Sequence, residues 1–469
     1  MIFTSLEYFV FLAVTLLVYN LIPSDIRARF LLVSGYFFYS FSGWQNIGIL
    51  LAVTLSVFLF GKVLGSFRMN SLLLLAVAIT IAPLILWKIG VIGGDQTNNG
   101  FVRFVIPLGL SFYTLQAVGY LLDVFKQRVR PADGFVSLAL FMAFFPIMLA
   151  GPVERAGRLI PQLASLSKTQ CSEIYIAVKQ LLWGFVCKLI VADKLAIISA
   201  DILNKPGQKS PPTLVIGLFL YSIQIYFDFY GYSTIAIAAA RLFGVQVMVN
   251  FNHPLLASTL VEFWHRWHIS LSTWFRDYIY LPLAYKFKPI YSFTIVVFLV
   301  FILSGIWHGT SLGFIIWGGG HGFLYIFGRL SHKFRGRLWR LIAPGKLIKV
   351  RRPIQAAYVF ILVSLAWVFF ASPRIGEAAT ILRRIFSWEL FTTLGTIGST
   401  ILREDYMLYI ACAIILFALD SLGVVQAVVT KVPTNRREIA QELVLINSFV
   451  LLLLLIGDIG AKGFYYMQF

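Results

Sequence analysis

The feature that most constrains this chain is the recurrence of apolar runs about as long as a bilayer is thick. A helix needs about 20 mostly apolar residues to cross the hydrocarbon core, and such runs follow one another through all 469 residues. Hydrophobic residues make up 59% of the chain and charged residues 13%, which excludes an ordinary water-soluble globular protein. The sequence therefore predicts an all-α, polytopic transmembrane helical bundle of about 11 to 13 membrane helices. No stretch resembles a separate soluble domain, so residues 1–469 are expected to form one integral membrane domain.

Short polar segments separate the candidate membrane spans. The first run has no basic region before it and no small-residue cleavage site after it, so we expect a retained span rather than a signal peptide. The candidate spans cover residues 7–23, 29–45, 47–66, 71–90, 104–123, 136–151, 174–192, 212–229, 291–307, 312–328, 354–371, 405–422 and 443–459.

The basic residues lie mainly between the apolar runs. The net charge is +19, and this distribution favours the positive-inside rule over nucleic-acid binding. Segment 329–352 has nine Lys or Arg and no acid, so we expect it to be cytoplasmic. Arg27 and Arg29 follow the first run, and Arg436 and Arg437 precede the last. Both chain ends are therefore predicted to lie outside the cytoplasm.

Simple alternation of spans fails in the middle of the chain. Five candidate spans separate the basic cluster at 126–130 from segment 329–352, whereas two cytoplasmic loops must be separated by an even number of crossings. At least one intervening segment must be re-entrant, interfacial or miscounted. The charge-rich stretch 230–290 is the main suspect, because polar structure at membrane depth must be buried in protein or line a wet cavity. Gly151-Pro152 breaks another run and is expected to form a folded lip.

Residues 259–283 mix tryptophans and histidines with charged side chains. Such a mixture is typical of an interfacial helix. Glu262 and Arg266 are four residues apart and are expected to pair. His265 and His268 could face one metal ion, but local spacing places no third ligand, so no metal site is predicted. His268 could equally form an ordinary hydrogen bond near Ser272.

His308 stands at the end of the apolar run 291–307. Polar side chains in spans are costly and usually face a cavity or a substrate path, and imidazole suits proton transfer near neutral pH. The alternative is a core histidine bonded to a backbone carbonyl. The glycines that follow, from Gly318 to Gly322, indicate either close helix approach or a broken helix. Asp228 is expected to form a structural ion pair with Arg241.

Several motifs together resemble the membrane-bound O-acyltransferase family, particularly its bacterial branch that acetylates exported polysaccharides. The resemblance is strongest over residues 100–328. The matching stretches are Pro107 to Gln116, Phe145-Pro146 with Ala150-Gly151-Pro152, Tyr226 to Phe229 with Gly231-Tyr232-Ser233, Glu262 to Trp264 with Arg266-Trp267-His268, Trp274 to Tyr278, Gly305 to Gly309, and the terminal FYYMQF.

The resemblance implies a helical bundle around a central funnel, with re-entrant helices near a catalytic histidine. It implies that His308 is that histidine and that His268 and His321 match further recurrent histidines. We expect His268 to be catalytic together with His308. Residues expected to contact substrate are Trp307, His321, Asp228, Arg266 and Ser272.

The resemblance also implies the reaction. The donor is expected to be a cytoplasmic acyl thioester, acetyl-CoA or an acylated carrier protein, with no tightly bound cofactor. The acceptor is expected to be an exported polysaccharide of the alginate or cellulose type, with peptidoglycan or teichoic acid as alternatives. His308 would act as general base or as a covalent acyl relay. An extracytoplasmic acyltransferase and a glycan export complex are expected partners, in the inner membrane of a bacterium.

Two other classes of function remain open from the residues. A transporter or glycan flippase could use Asp228, Arg241 and the histidines as a proton or substrate path. A non-catalytic scaffold of an export complex would not need His308.

Overall fold

The computed structural model describes residues 1–90, 108–149, 151–342, 348–372 and 374–457. The start of the predicted span 104–123, residues Pro107 and Ala150 of the motifs, part of segment 329–352 and the terminal FYYMQF lie outside the described residues.

The N-terminal part is a set of apolar helices joined by short turns. Three of them begin within a few residues of the start that hydropathy predicts. Gly43 and Gly109 supply positive φ angles before two of the helices. The helices are α1 (Leu6–Leu21), α2 (Ser24–Ser40), α3 (Trp44–Ser66), α4 (Asn70–Lys88) and α5 (Leu110–Phe125).

The predicted span 136–151 does not cross the bilayer. It is broken into α6 (Phe135–Ala143) and α7 (Phe145–Met148), after which α8 (Ala156–Ala164) runs back along α6. The nine residues of α6 rise only about 13 Å, which is less than half of the roughly 30 Å thickness of the hydrocarbon core. The two ends of the segment meet, since a Cβ on Gly157 would lie 3.0 Å from the Val129 side chain. This re-entrant hairpin leaves four crossings between the basic cluster 126–130 and segment 329–352, which restores the even count.

The next helices are long and buried. α11 is 32 residues long and most of it is buried inside the bundle. Gly184 and Gly231 bring the backbones of α9 and α11 together, because a Cβ on Gly231 would lie 2.9 Å from the Gly184 carbonyl oxygen. The elements are α9 (Cys171–Phe185), a π-helical segment (Val186–Ala192), α10 (Asp193–Leu203) and α11 (Pro211–Leu242).

The suspect stretch 230–290 is partly as expected. Its first thirteen residues are the end of α11 and belong to a full-length helix. The remainder forms only short helices, none long enough to span. They are α12 (Leu260–Arg266), α13 (Ile269–Phe275), a π-helical segment (Arg276–Tyr280) and α14 (Leu281–Ala284).

The C-terminal part contains both long and short helices. They are α15 (Pro289–Tyr291), a π-helical segment (Ser292–Val296), α16 (Val297–His308), α17 (Leu312–Leu330), α18 (His332–Ile342), α19 (Ile348–Ala366), α20 (Val368–Ala371), α21 (Ile375–Ile385), α22 (Glu389–Thr392), α23 (Thr396–Ile401), α24 (Glu404–Ser421), α25 (Val424–Val429) and α26 (Arg436–Ile456). In the described part of the chain, six helices are long and apolar enough to cross a membrane. The all-α, multi-pass prediction is confirmed.

Basic loops gather at one end of the bundle, here called the basic end. The end of α5 reaches the segment after α13 through a 2.6 Å hydrogen bond from Tyr278 to Asp123, and Arg155 lies 3.7 Å from Asp277. α3 also ends there, since the Lys62 ammonium donates to the Asp133 carbonyl at 3.4 Å. α4 and α16 therefore start at the basic end and finish at the opposite end.

Candidate functional site

His308 is the last residue of α16, and Gly309 ends the helix in an extended conformation. Its side chain is 4% exposed. Aromatic rings surround the imidazole: the ring centroid of Trp307 lies 4.8 Å away, that of Trp317 5.1 Å and that of Phe370 5.6 Å. The predicted position at the end of a membrane span is thus confirmed, and the residue faces the bundle interior rather than lipid.

His268 lies between α12 and α13 and adopts a left-handed backbone, with a φ of 43°. Such a conformation costs a non-glycine residue about 1–3 kcal/mol. The neighbouring backbone is fixed by Asn250, whose carbonyl accepts from the Ile269 N–H at 2.9 Å and whose side-chain oxygen accepts from Ser270 at 2.6 Å. The left-handed turn aims the imidazole inward, where it is 1% exposed.

The three predicted histidines are joined through two tryptophans. His268 contacts Trp307 at a ring distance of 6.3 Å, and Trp307 contacts His308. His308 contacts Trp317, which in turn contacts His321 at 5.1 Å. We call His268, His308, His321, Trp307 and Trp317 the histidine–tryptophan cluster. Within the described residues, neither imidazole nitrogen of His268 or His321 has a hydrogen-bond partner.

Glycines explain why α16 and α17 can carry this cluster. A Cβ on Gly305 would lie 3.1 Å from the carbonyl carbon of Phe314, and one on Gly318 would lie 3.2 Å from that of Phe301. The two helices therefore touch backbone to backbone one turn from His308 and Trp317. Of the two alternatives drawn from the sequence, close helix approach is confirmed, because α17 runs unbroken through its glycines.

The predicted substrate-contact residues divide into two groups. Trp307 and His321 belong to the histidine–tryptophan cluster. Arg266 instead lies 2.6 Å from Glu262, as the i, i+4 spacing predicted. Ser272 donates to the Trp267 carbonyl at 3.2 Å.

The expected pair of Asp228 and Arg241 was wrong. Both lie on α11, about 20 Å apart along its axis at 1.5 Å per residue. Asp228 instead lies 2.5 Å from Lys188, which also contacts Asp193 at 2.8 Å. Arg241 pairs with Glu173 at 3.6 Å. The next residue, Phe229, contacts the cluster instead, since its ring meets that of His268 at 4.6 Å.

A cavity of about 550 Å³ lies between α12, α13, α16 and α17. Arg276 and Arg329 stand at its basic end, and its opposite end is lined by Ser304, one turn before His308. Trp264 lines it too and contacts His321 at 5.0 Å. We call this the arginine-rimmed cavity; among the predicted residues, Ser272 lines it.

A second cavity of about 360 Å³ lies between α9, α11 and α25. Carboxamides, hydroxyls and aromatic rings line it, including Gln180, Asn250, Tyr230 and Gln426. His253, also in the lining, has its Nδ1 3.4 Å from the fully buried carboxylate of Asp420. Ile269, the residue after His268, lines both cavities.

Sequence reasoning missed Lys188, Asp420 and Lys88. Lys188 and its partner Asp228 are 40 positions apart, and no local pattern joins them. Lys88 ends α4, which packs against α5, and the first turn of α5 carries Phe112 beside Trp307 of the cluster. A lysine closing an apolar helix is an ordinary interfacial anchor in sequence terms, so only the fold connects it with the cluster.

Comparisons with known proteins match the part of the chain that carries the cluster. The family model of membrane-bound O-acyltransferases matches residues 123–371, which include all three histidines of the cluster. The chain is 31% identical over 413 residues to a probable alginate O-acetylase of Pseudomonas putida, covering 83% of this chain and 82% of the relative. It is 30% identical over 313 residues to a peptidoglycan O-acetyltransferase of Helicobacter pylori, covering 60% and 57%. It is 30% identical over 255 residues to a teichoic acid D-alanyltransferase of Bacillus subtilis, covering 52% and 64%.

Proposed function

This chain belongs to the membrane-bound O-acyltransferase family and is an O-acyltransferase, and we propose that it moves acetyl groups from a cytoplasmic thioester toward hydroxyls of an exported polysaccharide. The observation that carries the proposal is the position of His308: an imidazole at the interior end of a membrane helix, enclosed by the histidine–tryptophan cluster.

The arginine-rimmed cavity supports entry of the donor from the cytoplasm. Its two arginines lie at the basic end, which the positive-inside rule places on the cytoplasmic side. Coenzyme A and the phosphopantetheine group of a carrier protein are both anionic, so Arg276 and Arg329 suit either. The cavity leads from these arginines to Ser304, one helical turn from His308. A thioester seated in it would approach the imidazole from the cytoplasmic side.

His308 can act on such a thioester in two ways. As general base, its neutral imidazole takes the hydroxyl proton while the new C–O bond forms and the C–S bond breaks, and the proton passes to the departing thiolate. As relay, the imidazole nitrogen attacks the thioester carbonyl, releases the thiol and then gives the acyl group to a hydroxyl. The second route suits a separate extracytoplasmic transferase as partner.

The acetylated polymer is proposed from the relatives. The alginate O-acetylases cover most of this chain, whereas the peptidoglycan and teichoic acid enzymes match shorter parts. We therefore place an alginate-type exopolysaccharide before peptidoglycan or teichoic acid, in a bacterial inner membrane that also carries the export system.

Exchange of His308 tests the proposal directly. Removing a general base costs about 10²- to 10⁴-fold in rate, so His308→Ala should abolish detectable acetylation of the exported polymer at matched membrane abundance. His332→Ala is the matched control, because His332 is exposed on α18. Base-released acetate from the purified polymer is the measurement, and near-normal acetate with His308→Ala would refute the assignment.

Trapping an acylated His308 distinguishes the covalent relay from the general-base route. Membranes given acetyl-labelled thioester donor without acceptor, then quenched, should yield label on His308 if the histidine is a relay. No label, together with acceptor-dependent release of thiol, identifies the general base.

A further inference from the structure

Asn250 is a buried polar residue that lies between the long helix α11 and the turn that carries His268. Its side chain is 1% exposed. The carboxamide nitrogen donates to the Ser233 hydroxyl of α11 at 3.0 Å, and the carboxamide oxygen accepts from the Ser270 hydroxyl at 2.6 Å. This one side chain therefore ties the turn to the helix behind it.

The backbone around Asn250 holds the same turn from its other side. The Asn250 carbonyl accepts from the Ile269 N–H at 2.9 Å, and the Asn252 N–H donates to the Arg266 carbonyl at 3.0 Å. These two bonds lie on either side of His268, whose φ of 43° is unfavourable for a residue with a Cβ. A left-handed backbone of this kind persists only where the surrounding structure enforces it. The hydrogen bonds of Asn250 therefore act directly on the conformation of His268.

The conformation of the turn determines where the His268 imidazole lies. The imidazole meets the Phe229 ring at 4.6 Å and the Trp307 ring at 6.3 Å, and Trp307 contacts His308. Phe229 stands one helical turn before Ser233 on α11. The hydrogen bond to Ser233 thus anchors the turn to the part of α11 against which the imidazole packs. A turn that relaxed to a right-handed backbone would move the imidazole away from Trp307.

The same hydrogen-bond network reaches the re-entrant hairpin. The Val153 N–H, which follows α7, donates to the Ser270 hydroxyl at 2.9 Å. The hairpin, α11 and the turn at His268 therefore meet around one buried carboxamide. No motif of the sequence analysis contains Asn250, although Ser233 and the residues next to His268 belong to stretches that resemble the family.

We propose that Asn250 is a positioning residue for acyl transfer: it holds the left-handed turn at His268 and so fixes that imidazole in the cluster with His308. The inference rests on the proposed function and adds a residue that acts on the reaction through His268. A misplacement of about 1 Å can cost about 10²-fold in rate. Loss of the turn should therefore slow transfer while donor and acceptor still bind.

Asn250→Ala removes both side-chain hydrogen bonds. Asn250→Asp keeps an acceptor for Ser270 and offers another to Ser233, whose hydroxyl can donate as well as accept. Asn252→Ala is the matched control, because Asn252 is exposed in the same loop and alanine keeps the backbone bond to Arg266. Initial rates of acetyl transfer are measured in membranes that carry the complete export system, with acetyl-CoA as donor and an alginate oligosaccharide as acceptor.

Asn250→Ala should lower kcat about 10- to 100-fold with each KM changed less than about threefold, because a misplaced group impairs the transition state more than substrate binding. Asn250→Asp should recover most of this loss, and Asn252→Ala should keep the parent rates. In a His268→Ala background, Asn250→Ala should cost less than about threefold, because the effects of two residues that act as one unit are not additive.

An equal fold-loss from Asn250→Ala with and without His268 would overturn the inference, because it would show a general structural role. A structure of Asn250→Ala in which His268 keeps its left-handed backbone and its 6.3 Å ring distance to Trp307 would overturn it too. This structure decides the question even where His268→Ala is inactive. An active His308→Ala variant would instead remove the proposed function, whereas the structure of Asn250→Ala reports on the turn independently of activity.

Discussion

A single methyl group at Gly305 should disable the site without touching a histidine. The new Cβ would lie 3.1 Å from the Phe314 carbonyl carbon and closer still to its oxygen. These are backbone atoms of α17, so no side chain can rotate away, and the helices must separate by roughly 1 Å. His308 lies one turn further along α16, so its imidazole moves relative to Trp317. A misplacement of about 1 Å can cost about 10²-fold in rate, or about 2.7 kcal/mol of activation free energy.

Gly320→Ala is the control for Gly305→Ala. Gly320 lies on the exposed side of the same helix pair, and a Cβ there would meet nothing within 4 Å. Alanine also favours a helix over glycine by about 1 kcal/mol, so Gly320→Ala should retain full activity. The assay is acetate released from exported polymer, with thermal unfolding in detergent to measure packing, for which we expect a loss of about 1–3 kcal/mol in Gly305→Ala. Wild-type acetylation by Gly305→Ala, or an equal loss in both variants, would refute the reasoning.

Three further outcomes are expected. Lys188→Met should lower the free energy of unfolding by about 3–5 kcal/mol in a detergent melt, because it leaves the buried carboxylate of Asp228 without its cation; an unchanged melting temperature would show that the pair is dispensable. His268→Ala should reduce polymer acetylation less than His308→Ala does, since we assign proton transfer to His308; equal losses would contradict that division. In a cysteine-free background, Asp133→Cys and Arg158→Cys should both react with an impermeant thiol reagent from the cytoplasmic side, as a re-entrant hairpin requires, and labelling from opposite sides would restore the span 136–151.

Apolar runs predicted most helices, because a helix that crosses the hydrocarbon core must consist mainly of apolar residues. The run 136–151 misled for the same reason: a hairpin buried among other helices is as apolar as a span, and only its breaks at Phe144 and Gly151-Pro152 distinguish it. The odd count of crossings revealed that one segment must be re-entrant but not which one. Segment 230–290 attracted suspicion through its charges. It had not been counted as a span, and its short helices add no crossing, so it leaves the count of five unchanged.

Site prediction succeeded where a residue conflicts with its local sequence. His308 interrupts an apolar run, and Glu262 and Arg266 share one helix face. The unusual position of His308 and the ion pair could therefore both be predicted from the sequence. Asp228 was assigned the wrong partner because a distance along the chain was taken for proximity; on a continuous helix, thirteen positions are about 20 Å. Its real partner, Lys188, lies on another helix, and non-local pairs of this kind leave no local pattern in one sequence.

Unsatisfied imidazoles give the cluster its strongest physical connection with catalysis. A buried polar atom without a hydrogen bond costs about 1–3 kcal/mol, and His268 and His321 both keep two such nitrogens within the described residues. Rings rather than hydrogen bonds hold them: Phe229 meets His268 edge-on at 4.6 Å, and Trp264 meets His321 at 5.0 Å. Because these imidazoles lie in the same cluster as His308, we expect them to hydrogen-bond the hydroxyl and carbonyl groups of substrates.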